Sequence, residues 1–143
     1  MSNQASKDYI FDIDRFTSSE GNTGPYILYT IVRMKSILTK AGFNAESKIE
    51  ILPAHSDSEK ALMLELTKFS AAVSTAASEM APHKICAYIY DLANAFNRFY
   101  HDTKILAEED VAVKTSYLTL LALTDNVLET AIDLLGFDAP ARM

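Results

Sequence analysis

The sequence predicts an all-α fold, a helical bundle of four long helices with a short N-terminal helix before them. Apolar residues recur at helical spacing in four separate stretches, and residues that start and stop helices bracket those stretches. No stretch of convincing length alternates with period two, and no segment repeats. With 143 residues the chain is long enough for one domain with a real core.

The elements follow in order. Asp8 to Phe16 reads as a short helix or turn, apolar at Tyr9, Phe11 and Phe16 and polar at Asp12, Asp14 and Arg15. Gly21 and Gly24 suit a tight turn, and Pro25 sits where a helix begins. A long helix runs from about Pro25 to Lys40 and stops at Gly42. Its apolar residues (Ile27, Leu28, Ile31, Val32, Met34, Ile37, Leu38) nearly encircle it, so it is expected to be buried on more than one side. A mixed connection follows, pinned to the core by Ile49, Ile51 and Leu52 and ended by Pro53. Ser56 and Glu59 read as a capping box at the head of the next helix. That helix carries Leu62, Leu66, Phe69, Val73 and Ala76 as one stripe, and its small last residues allow another helix to approach closely. Pro82 opens a third long helix with Ile85, Tyr88 or Ile89, Leu92, Phe96 and Phe99 on its apolar face. Tyr90, Asn94, Asn97 and His101 line a polar face of the same helix. After the polar break at 107–110, the last helix runs from about Val111 to Leu135 with two adjacent leucine-rich stripes, and Gly136 caps it.

Composition narrows the chemistry. No apolar run is long enough to span a membrane, and the first residues lack the apolar stretch of a secretory signal. With a single cysteine no intrachain disulfide is possible, and a cytoplasmic setting is expected. Cys86 is the one cysteine and reads as a small core residue. The three histidines lie in different segments, with no Glu-x-x-His pair, zinc-type cluster, Gly-rich phosphate loop or nucleophile elbow. Nothing here supports catalysis by this chain alone, and no catalytic, metal or cofactor residue is assigned to it. The net charge of −6 argues against a general nucleic-acid binder and leaves room for a small, locally basic site.

One constellation stands out. Tyr26, Tyr29 and Arg33 fall at i, i+3 and i+7 and share one helix face. Two aromatic rings and a guanidinium on one face suit an unstacked nucleobase. Half-buried core tyrosines beside a solvated arginine explain the same spacing, and on periodicity alone that plainer reading is the better one.

Further residues tip the balance. The stretch from Tyr9 to Arg15, the run Glu20-Gly21-Asn22-Thr23-Gly24-Pro25-Tyr26 continuing to Arg33, the stretch Tyr90 to Tyr100, and the ending Leu134-Leu135-Gly136-Phe137 with Ala139 to Met143 together resemble the arginyl-tRNA synthetases. The likeness covers almost the whole chain in order and is to the C-terminal, DALR-type anticodon-binding domain of these class I enzymes. It implies a junction segment over residues 1–20 and the binding domain over 21–143. The two ATP-binding signatures of the family are absent, so the resemblance implies a C-terminal piece of a ligase, with ATP and magnesium acting in the parent enzyme and the catalytic domain attached in cis. The implied partner is the anticodon loop of the tRNA for arginine. Every arginine codon has a middle G, so one cytosine pocket serves the whole set of tRNAs. The resemblance assigns that pocket to Tyr26 as a wall, Tyr29 as the stacking ring, Arg33 as the hydrogen-bonding group, and Met143 through its carboxylate or backbone. Asn97 and Tyr100 are further candidates, Asn97 being equally a structural bond between helices, and Arg142 is either a phosphate contact or a solvated tail residue.

The chain departs from the family pattern at four positions. Leu28 stands where glutamine is frequent, Ile31 where histidine is, and Ser116 and Thr124 where arginines are common. Fewer phosphate contacts are expected to weaken binding and flatten its salt dependence. The competing reading is a helical protein-interaction module of the same fold that has lost RNA reading; an acidic surface around Tyr29 would favour it, a locally positive groove the RNA reading. Apart from a catalytic domain, the segment with Tyr9, Ile10, Phe11, Ile13 and Phe16 is expected to expose apolar surface and promote self-association.

Overall fold

Helix boundaries fall where capping chemistry puts them. The computed structural model describes residues 8, 10, 12–18, 21–44, 50–141 and 143, with the backbone alone for Arg15 and Phe16. The helices are α1 (Ile13–Thr17), α2 (Gly24–Ala41), α3 (Asp57–Thr67), α4 (Phe69–Ser78), α5 (His83–Asp102) and α6 (Val111–Asp133), with a single 3-10 turn, Ile105–Ala107, before α6. No strand occurs among the described residues.

Thr23 is the N-cap of α2, its hydroxyl accepting from the Tyr26 N–H at 3.3 Å. Asp110 does the same for α6, accepting from Ala112 and Val113. Three helices end alike. Gly42 has φ +60°, the Phe43 N–H donates to the Leu38 carbonyl at 3.1 Å, and the Gly42 N–H donates to Thr39. Gly136 has φ +82° with Phe137 donating to Ile132 and Gly136 to Asp133. Met80 has φ +49° with Ala81 donating to Ala76 and Met80 to Ala77. Each is a Schellman stop, in which a left-handed residue turns two otherwise unmet carbonyls onto N–H donors.

Helix α5 is the central element, packed against α2, α3, α4 and α6, and α2 lies against both α5 and α6. Its apolar face is buried as the spacing requires: Ile85, Tyr88, Ile89, Leu92, Phe96 and Phe99 all belong to the core, the last three of them fully enclosed. Ile31 and Met34 of α2 meet Leu120, Leu121, Leu128 and Ile132 of α6 in the same core.

Several expectations need correction. The single helix expected after Ser56 is two, α3 and α4, with Lys68 between them. The Thr67 hydroxyl donates to the Leu64 carbonyl at 2.7 Å and the Lys68 N–H to Glu65, a tightened turn that competes with the regular ladder. The capping box is half formed. Ser56 accepts from the Glu59 N–H at 3.1 Å, but Glu59 turns its carboxylate to the His55 N–H at 2.7 Å rather than to Ser56. Ile51 is exposed instead of pinning the connection; the tie there is the Leu52 N–H donating to the Ser116 hydroxyl at 2.9 Å, and Ile49 lies outside the described residues. Leu123 and Leu134, in the second stripe of α6, are exposed, because one flank of that stripe faces away from α2 and α5.

Candidate nucleic-acid interface

The site is built where the polar face of α5 meets α2. The Tyr26 hydroxyl donates to Asn94 Oδ1 at 2.7 Å and accepts from Asn97 Nδ2 at 2.8 Å. Asn97 Nδ2 also reaches the Thr30 hydroxyl at 3.3 Å, while Asn97 Oδ1 accepts from Arg33 Nη1 at 2.7 Å. The arginine can only donate, so it fixes which way the Asn97 amide faces. Four polar side chains therefore lock α2 to α5 and aim the guanidinium.

Aromatic rings flank that guanidinium. Arg33 Cζ lies 4.8 Å from the Tyr29 ring centroid and 5.3 Å from that of Tyr100, both within cation–π range. Tyr100 leans on buried Phe96, with ring centroids 6.0 Å apart and planes 27° apart. Tyr29 is 50% exposed and Tyr100 37%, so both offer ring surface to solvent. Tyr26 is half-buried with its ring 5.9 Å from Tyr90, as a wall would be. One guanidinium nitrogen is engaged by Asn97, which leaves further N–H donors on Arg33 for a ligand.

The structure thus brings together Tyr26, Tyr29, Arg33, Asn97 and Tyr100. Met143 is exposed, and Arg142 lies outside the described residues. Sequence reading missed the partnership of Asn94 with Tyr26; the signal was there in Asn94 and Asn97, three residues apart on one helix face. The positions set against the family pattern prove to be packing sites. Ile31, Ser116 and Thr124 are fully buried and Leu28 packs on the core. Cys86 is buried, and burial pushes its thiol up from its ordinary range, away from reactivity.

The family profile described as DALR anticodon binding domain matches residues 27–143. A protein of Agathobacter rectalis named arginine–tRNA ligase is 65% identical over 147 aligned residues, which cover 100% of this chain and 25% of that protein. Among solved structures, the arginyl-tRNA synthetase of Thermus thermophilus is 36% identical with TM-score 0.79, over 88% of this chain and 22% of that one. The arginyl-tRNA synthetase of Plasmodium falciparum is 29% identical with TM-score 0.86, over 99% of this chain and 25% of that one. The chain spans about a quarter of the length of the relatives it matches. With a helical bundle among the described residues and the profile matched over most of its length, the chain belongs to the DALR anticodon-binding domain family.

Proposed function

We propose that this chain binds the anticodon loop of the tRNA for arginine and reads its middle cytosine at Tyr29 and Arg33. Residues 21–143 act as the binding domain and residues 1–20 as a junction to a catalytic domain of an arginine–tRNA ligase. The observation that carries this is the half-exposed Tyr29 ring beside an Arg33 that is fixed by Asn97 and still has donors to offer. A splayed loop base stacks on Tyr29, and Arg33 and Met143 meet its edge or its backbone. Tyr100 closes the far side, and Tyr26 with Asn97 holds the frame. Arg142 adds a phosphate contact.

In the proposed parent enzyme, ATP and magnesium serve the activation of arginine. Among the described residues no three His, Cys, Asp or Glu side chains are grouped to hold a metal ion.

Binding of an anticodon stem-loop carrying cytosine or uracil at the middle position tests the reading. The expected result is a cytosine preference that Tyr29→Ala abolishes together with a tenfold or greater loss of affinity, since base–aromatic stacking contributes about 1–3 kcal/mol. Equal, feeble binding of both loops, unchanged in Tyr29→Ala, would instead favour a protein-interaction module, the reading to which the net charge of −6 lends weight.

A further inference from the structure

From Tyr100 a groove of about 370 Å³ runs away from the site, between the last turns of α2 and the segment that follows α5. Ile37 and Ile105 contribute to its apolar lining, Lys40 lies on the α2 side, and His101 and Lys104 lie on the other. No carboxylate lines it. Of the carboxylates that flank its lining in sequence, Asp102 faces Arg98 at 4.0 Å, Glu108 accepts from the Glu109 and Asp110 N–H groups, and Asp110 caps α6.

The two lysines differ from most others in the molecule. Lys35 pairs with Glu129, Lys68 with Glu65 and Lys84 with Glu79, while Lys114 donates to the Leu106 carbonyl. The Lys40 and Lys104 side chains are exposed and pair with no described residue. In a chain of net charge −6, two uncommitted cations facing each other across one groove are a local reversal of sign. The groove is also continuous with the base site. Tyr100 belongs to both, and Lys40 lies seven residues beyond Arg33 on the same face of α2, about 10 Å along the helix axis.

We infer that this groove carries the phosphate backbone of the single strand whose base is held at Tyr29 and Arg33, with Lys40 and Lys104 as phosphate contacts from its two walls. The inference rests on the base-reading role proposed above and gives it the electrostatic term that an acidic chain otherwise lacks. Phosphate contacts position a strand without reading its sequence, so the groove sets affinity and register while the tyrosines set base choice.

Stem-loop affinity measured across a salt series tests it, with this protein, Lys40→Ala, Lys104→Ala, the double variant, and Lys60→Ala as a control lysine on α3. Each groove lysine removed is expected to make the slope of log K against log salt shallower by about 0.7, and the pair by about 1.4. Lys60→Ala leaves the slope as it was, and the cytosine preference survives in every variant. A double variant that keeps the original slope overturns the groove. Slopes that fall as expected while cytosine and uracil loops bind alike would leave the groove standing and remove the base-reading role. Absence of measurable binding to either loop at low salt would remove both.

Discussion

Both amide hydrogens of Asn97 are engaged within the protein, one by Tyr26 and one by Thr30, and its oxygen holds Arg33. In the proposed function it therefore acts on the base through Arg33 and not by touching it. Asn97→Ala is expected to cost about 1–2 kcal/mol in thermal unfolding, since it leaves partly buried partners unmet, and to erode the cytosine preference by freeing the guanidinium. Asn97→Asp keeps the arginine partner and loses both donors, so it is expected to retain more of that preference than the alanine variant; equal loss in the two would argue that Arg33 is not what Asn97 positions. Spacing alone placed Tyr26, Tyr29 and Arg33 on one face and Asn94 and Asn97 on another. That the two faces meet was not legible, because the pairing spans more than sixty residues of chain and no local pattern encodes it. A second residue sets a pH dependence. Asp125 is buried, its Oδ1 has no hydrogen-bond partner among the described residues, and burial, with Glu129 adding and Lys35 opposing, pushes its carboxyl up to about 6. The folded state then holds this proton more tightly than the unfolded chain, so the stability linked to it is full below pH 4 and is lost as pH rises through about 6. Relative to the native chain, Asp125→Asn is expected to gain about 2 kcal/mol between pH 4 and pH 7 in urea unfolding. Parallel profiles for the two proteins would remove Asp125 as the cause.

Three helices end in the same hydrogen-bonded stop, and the residue at the left-handed position differs among them. Glycine adopts that conformation freely, whereas an L side chain meets the following carbonyl. Met80 is the exception, with φ +49° and a side chain 88% exposed, so little packing offsets its strain. Met80→Gly is expected to stabilise the protein by about 1 kcal/mol, and Gly42→Ala to destabilise it by a similar amount, both read from denaturant midpoints. A Met80→Gly variant no more stable than its parent would show that the α4 end is relaxed already. The glycine stops at Gly42 and Gly136 were readable in sequence because glycine advertises them; the one at Met80 was not, since methionine carries no such signal. The break at Lys68 escaped for a related reason. The stripe Leu62, Leu66, Phe69, Val73 and Ala76 continues across it, and hydrophobic spacing registers which face is buried, not whether the backbone ladder is whole.

The molecule as a whole leaves apolar surface at one end. Ile10 is 90% exposed and Ile13 63%, ahead of α2, while Tyr9, Phe11 and the Phe16 side chain lie outside the described residues. Self-association of this chain through that end is the expected consequence. Ile10→Ser with Ile13→Ser is expected to shift sedimentation toward the monomer, and a native chain that stays monomeric at high concentration would count against it. Fold class was the most legible property, since four amphipathic stretches with caps admit few arrangements, whereas the contacts of α2 with α5 and α6 belong to the assembled bundle. Those contacts also order events in time. Helix α2 ends about forty residues of chain before α5 begins and about seventy before α6, yet its fully buried Ile31 and Met34 are covered only when α5 and α6 close over them. A ribosome delivers the chain from its N-terminus, so an apolar α2 waits uncovered until the last helix has emerged, and closing so long a loop is slow compared with forming any helix within it. Within this bundle, the face that presents Tyr29 and Arg33 is therefore made before its partners and is among the last to acquire its shape.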